Sequence, residues 1–92
     1  MSTDTLDLQA CPRIRKLFKL QWEPVQDAWV LLYPEGMVKL NQSAGAILSR
    51  LDGSTPIADL VAKLEAEFST TGLQDDVLDF LAHAKGQGWV QL

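Results

Sequence analysis

The apolar pattern of this chain changes period once, at Asn41. Before that position hydrophobic residues come in short, strand-length blocks; after it they recur at helical spacing. A chain of 92 residues divided in this way has room for one small sheet and one helical layer around a shared core, and for no second domain. In the first part Leu17, Phe18, Leu20 and Trp22 alternate loosely with Lys19 and Gln21, which predicts a strand with one wet face. Glu23 to Asp27, with Pro24 inside, predicts a turn. Ala28 to Tyr33 is apolar on both faces and predicts a central or covered strand. Pro34-Glu35-Gly36 reads as a hairpin loop, and Met37 to Leu40 as the third strand of an antiparallel meander.

Asn41 suits a helix N-cap, and Ala44, Ile47, Leu48 and Leu51 then fall at i, i+3, i+4 and i+7, with Asp52-Gly53 as the stop. Thr55 followed by Pro56 predicts the cap and first position of a second helix, whose stripe is Ile57, Leu60, Val61, Leu64 and Phe68. Ser69 to Gly72 breaks it. Asp75 and Asp76 fit the first turn of a third helix with Val77, Leu78, Phe80, Leu81 and Ala84 on its apolar side, ended by Gly86 and Gly88. Trp89 to Leu92 predicts an extended end segment. Residues 1–12 are polar and end in Pro12, which predicts a flexible N-terminal tail before a single domain over residues 13–92. The fold class is α+β: a three-stranded antiparallel sheet followed by a three-helix bundle, a winged-helix-like order.

Charge bears on partners. The net charge of −4 disfavours nucleic acid, whose binding draws on phosphate neutralisation. The sign is uneven. Arg13, Arg15, Lys16 and Lys19 crowd four of the eight basic residues into one short stretch, which reads as a solvated face or as a docking patch for an acidic partner. Asp75, Asp76 and Asp79 on the third helix oppose its use as a DNA-recognition helix. The longest apolar run, Ala28 to Tyr33, is too short to span a bilayer, and no secretory signal is evident, so a cytoplasmic location is expected.

Catalytic chemistry finds no constellation. His83 is isolated on the third helix and reads as a surface histidine, and Cys11 stands alone in the tail. The three aspartates suit a helix N-terminus without a metal, and the glycines are too scattered for a phosphate loop. Gly45, inside a helix, hints at close backbone contact. The expectation is a non-enzymatic binding module without cofactor or metal. Met37 to Leu40 is a sheet edge with unpaired backbone groups, and an extended peptide is the ligand such an edge permits.

Tyr33-Pro34-Glu35-Gly36, Lys39-Leu40-Asn41, Ser43-Ala44, Ile47-Leu48 and Asp52-Gly53, within the stretch Leu31 to Gly53, resemble the PqqD family. So do the Pro12-Arg13 start, Trp22-Glu23 and the Leu60, Leu64, Phe68 spacing. The resemblance covers residues 12–92. Leu51, where relatives often carry cysteine, and the Ser/Thr-rich loop 69–71 depart from it, away from the hairpin and first helix. The resemblance implies a peptide chaperone of pyrroloquinoline quinone biosynthesis, a recognition element for a ribosomally made, modified peptide. It implies binding of the precursor peptide PqqA and presentation to the radical S-adenosylmethionine enzyme PqqE, which cross-links a glutamate and a tyrosine in it. Related elements take the leader as an added strand beside the third strand, in a cleft closed by the third helix. Carried onto this chain, the peptide-binding residues are Met37, Val38, Lys39 and Leu40 with Val77, Leu78, Leu81 and Lys85, and Arg13, Arg15, Lys16 and Lys19 are a weaker partner-docking patch. A leader-recognition element of another modified-peptide pathway and a winged-helix DNA-binding regulator are the alternatives. A homodimer through Trp22, Trp29 or Trp89, or through strand exchange near Pro24, stays open.

Overall fold

The computed structural model describes residues 6–92. The elements in chain order are β1 Arg13–Ile14, β2 Lys19–Glu23, β3 Ala28–Tyr33, β4 Gly36–Lys39, α1 Gln42–Leu48, α2 Ile57–Glu67, α3 Gln74–Gly86 and β5 Val90–Gln91. The predicted meander and three helices are all present. β3, the strand without a polar face, is the central strand of an antiparallel sheet ordered β2-β3-β4. Tyr33 pairs with Gly36 across a two-residue hairpin turn.

A second, two-stranded sheet joins β1 to β5, with Arg13 opposite Gln91 and Ile14 opposite Val90. The end segment expected after the third helix is therefore half of a ladder. Its partner gave no signal, because a two-residue strand is too short to show a period.

The N-terminal segment also departs from a simple tail. Residues 1–5 lie outside the described residues. Over residues 6–12 the chain runs along α2, where the Leu8 and Ala10 carbonyls accept from the Ala58 and Ile57 N–H groups at 3.0 Å each. Those are first-turn donors with no partner inside the helix, so this segment acts as a backbone cap for α2. Leu6, Leu8 and Ala10 pack on the helical core, and Pro12 is buried.

The capping scheme explains two shifted boundaries. Asn41 Oδ1 accepts from Ala44 N at 2.7 Å, as expected of an N-cap. α1 nevertheless ends at Leu48, before the predicted Asp52-Gly53 stop, because Arg50 and Leu51 donate to Ile47 and Leu48 in tightened three-residue steps. Asp52 then accepts from Ser54 N and Thr55 N at 2.8 Å and from the Thr55 hydroxyl at 3.0 Å. That engagement removes Thr55 from its expected capping role, and Pro56 precedes the first helical residue instead. Gly53 does adopt a left-handed φ of 76°, in this connection rather than at a helix end.

Two clusters form the core. On the helix side Ile47, Ile57, Leu60, Val61, Leu64, Val77 and Leu81 pack together. On the sheet side Leu31, Leu40, Ala44, Leu48, Ala84 and Val90 do so. α1 serves both, through Ile47 on one side and Ala44 and Leu48 on the other, and half-buried Leu51 and Phe80 touch both. Gly45 lies against Trp29, where a Cβ would meet Trp29 Cδ1 at 2.6 Å, so the glycine is what lets α1 approach β3.

Candidate functional site: a free sheet edge beside the third helix

β4 is an edge of the sheet, and among the described residues no strand pairs with its outer side. The direction of its backbone groups follows from one hydrogen bond. Leu40 N donates to Trp29 O at 3.0 Å, which makes Trp29 and Leu40 a hydrogen-bonded pair. Antiparallel ladders alternate, so Leu31 with Val38 is the next such pair, and Val30 with Lys39 and Leu32 with Met37 are not. Met37 and Lys39 therefore turn their N–H and C=O groups outward, where an extended peptide can meet them, and Val38 turns its own inward to β3.

The side chains divide the same way. Met37, at 50% exposure, and Lys39 stand on the outer face. Val38 is half-buried and Leu40 is 5% exposed, both packed in the sheet-side cluster. The edge thus offers a flexible thioether, an ammonium and two pairs of backbone groups.

On α3 the expected residues separate. Val77 and Leu81, 2% and 0% exposed, belong to the helix-side cluster, so they hold the helix in place and offer a ligand almost no surface. Leu78 is half-buried against the same cluster, and Lys85 is exposed in the last turn. The part of α3 that shares a cluster with β4 is Phe80 with Ala84, one turn apart. Phe80 lay on the apolar side predicted from sequence but was absent from the expected peptide contacts. Its helical spacing to Ala84 was the available signal; the long-range partner on β4 was not.

A further depression, of mixed polar and apolar lining, lies elsewhere. Recesses of about 330 and 560 Å³ share Gln42, Ala46 and Phe68 and run from the end of β4, at Lys39 and Leu40, to Leu73 and Val77 at the start of α3. Trp22 and half-exposed Phe68 line this depression as well.

Arg13, Arg15, Lys16 and Lys19 are all exposed, on β1, the β1–β2 connection and the start of β2. β3 separates β2 from the β4 edge, so this patch and the edge are distinct surfaces. His83 is exposed and edge-on to Trp89, with ring centroids 5.6 Å apart. The Asp52 carboxyl is held below the ordinary carboxylate range by the backbone N–H groups of Ser54 and Thr55, which favour its charged form. It lies in the α1–α2 connection and takes no part in the edge.

Residues 28–90 match the family model described as coenzyme PQQ synthesis protein D. The chain is 50% identical to the PqqA binding protein of Azotobacter vinelandii, covering 100% of this chain and 99% of that one. It is 48% identical to the PqqA binding protein of Pseudomonas aeruginosa, with the same coverage. The fold is similar, with a TM-score of 0.81 over 100% of both chains and 22% identity, to the solution structure of the PqqD truncation of Methylobacterium extorquens PqqCD, described as a functional, stand-alone recognition element for a ribosomally synthesised and modified peptide. With its meander, three helices and free β4 edge, the chain belongs to the PqqD family.

Proposed function

We propose that this chain is a non-catalytic peptide chaperone that binds the precursor PqqA as a strand added to β4 and presents it to the radical S-adenosylmethionine enzyme PqqE in the cytoplasm. The observation that carries the strand-addition reading is the outward turn of the Met37 and Lys39 backbone groups on an unpaired edge. Relatives at 50% and 48% identity that bear the name PqqA binding protein support the identity of the peptide.

Backbone pairing supplies affinity that tolerates sequence, and the exposed thioether of Met37 on the outer face supplies selectivity for apolar side chains. Lys39 and Lys85 attract an acidic peptide. The Arg13, Arg15, Lys16 and Lys19 patch, set apart from the edge, suits PqqE as a separate docking surface, so that peptide and enzyme need not compete. Among the three tryptophans considered for a homodimer, Trp29 packs on Gly45 and Trp89 on His83; Trp22 alone is exposed, at 44%.

The test follows from the ladder parity. Proline at Val38, the substitution that pattern alone suggests, would break the β3–β4 ladder and damage the fold. Proline at Met37 or Lys39 removes an outward donor and spares that ladder. Calorimetric titration with synthetic PqqA is expected to give one-to-one binding for the native chain, and at least a tenfold weaker constant, about 1.4 kcal/mol, for a folded Met37→Pro variant. Full affinity in that variant rejects strand addition at β4.

A further inference from the structure

β4 runs into the depression at its C-terminal end. Lys39 and Leu40, its last residue and the one after it, line the recess of about 560 Å³, which passes at Gln42, Ala46 and Phe68 into the recess of about 330 Å³ between α1 and the α2–α3 connection. Buried Ile47, Leu64 and Val77 floor the smaller recess, and exposed Asp76 stands at its rim. Phe68 borders both. It is 47% exposed at the C-cap of α2, although it continues the stripe whose other members, Ile57, Leu60, Val61 and Leu64, are buried. Trp22, 44% exposed, lines the larger recess. Large apolar side chains left half in water around an apolar floor mark a binding surface.

The last turn of α2 uses both of its carboxylates to fix this shape. Glu65 Oε2 accepts from Leu73 N at 3.0 Å and so ties down the α2–α3 connection. Glu67 accepts from Nε of Arg50 at 3.1 Å and from its Nη2, and Nη1 of the same guanidinium donates to Ala46 O at 2.7 Å. Leu73 and Ala46 both line the smaller recess, so α2 is tied to a wall on either side of it. A hollow fixed in the free protein receives a side chain without the cost of ordering its walls.

We infer that a bound peptide does not stop at the β4 edge: the stretch that runs past Lys39 enters this depression and seats one large apolar side chain against Phe68 in the smaller recess. This rests on the strand-addition reading and adds to its backbone pairing a pocket that selects sequence. Continuity assigns the occupant, because a strand paired along β4 leaves it at Lys39, whose own side chain borders the larger recess. Volume agrees: about 330 Å³ is at the small end for a ligand pocket and suits a side chain, not a second strand or helix. Charge sorts what enters. Lys39 at the mouth attracts a carboxylate on the neighbouring peptide residue, and Asp76 at the rim repels one from the recess beyond. The pattern selected is an acidic residue at Lys39 with a large apolar residue beyond it.

Calorimetric titration of the full chain with synthetic PqqA, whole and shortened stepwise from either end, tests this. Phe68→Ala removes the shared wall at a half-exposed position, and Ala46→Leu fills the hollow from the α1 side. Each folded variant is expected to bind whole PqqA about tenfold more weakly than the native chain. Shortening the peptide should weaken native binding by a similar factor at one step. Past that step the native chain and Phe68→Ala should bind alike, because the side chain that Phe68 meets is gone. Either folded variant binding whole PqqA as tightly as the native chain overturns the proposal. A Phe68→Ala loss that persists with every shortened peptide does so too. Met37→Pro separates this inference from the reading beneath it. Weakened binding there with none at Phe68→Ala rejects the recess alone, whereas full affinity there rejects strand addition and the path that depends on it.

Discussion

The two core clusters are built from similar aliphatic side chains and do different things. The helix-side cluster gathers residues from α1, α2 and α3 and holds the bundle together. The sheet-side cluster takes residues from β3, α1, α3, β5 and the end of β4, so it carries the edge strand on its surface. On the strand-addition proposal, the difference makes stability and peptide binding separable in this fold. Damage on the helix side should cost folding free energy alone, while damage on the sheet side should also move the β4 edge.

The strongest way to break that comparison is a matched pair of truncations. Leu60 and Leu31, 1% and 0% exposed, lie in the helix-side and sheet-side clusters respectively. Leu60→Ala and Leu31→Ala are each expected to lower unfolding free energy by about 2–5 kcal/mol in denaturant titration. PqqA affinity, measured where both variants are folded, should fall only for Leu31→Ala, because Leu31 pairs with Val38 of β4. Equal affinities would mean that the edge is independent of the cluster beneath it.

The sequence exposed these two clusters unequally. Helix-side members recur at i, i+3 and i+4 within one element, so Ile57, Leu60, Val61 and Leu64 were legible as a stripe. Sheet-side members meet across long separations: Val90 packs with Leu31, and β1 pairs with β5. Periodicity carries no information on such contacts. The same limit governed the site. The edge strand was legible from its turn and its apolar run, whereas the inward bonding of Val38 and the placing of Phe80 near β4 depended on ladder parity and tertiary packing. Val77 and Leu81 belonged to the helical stripe, and that stripe faces the helix-side core.

Gly45 sharpens the comparison at the helix shared by both clusters. A helix interior favours alanine over glycine by about 1 kcal/mol, so Gly45→Ala would stabilise α1 in isolation. Here the added methyl meets the Cδ1, Cγ and Cβ atoms of Trp29, at 2.6, 3.0 and 3.1 Å, and these are not the mobile end of a flexible chain. Overpacking of this kind costs about 1–3 kcal/mol, so set against that gain the net expectation is a loss of up to about 2 kcal/mol in unfolding free energy. A gain in thermal midpoint would show that α1 can shift away from β3 freely.

The smallest expected effect concerns the connection that leads from α1 to α2. Asp52 accepts two backbone N–H groups and a hydroxyl there, and its carboxyl is held below 3.8, the ordinary value for an aspartate, chiefly by the Ser54 and Thr55 N–H groups. A carboxyl depressed in the folded chain binds its proton more weakly there than in the unfolded chain. The stabilisation is therefore fully present above the ordinary value and is lost as pH falls through the depressed one. Asp52→Asn keeps an oxygen acceptor and removes the charge. At neutral pH its thermal midpoint is expected to lie slightly below that of the native chain, and the gap should close as the pH is lowered below 3.8. A gap that persists unchanged into acid would assign the loss to altered turn geometry instead of charge.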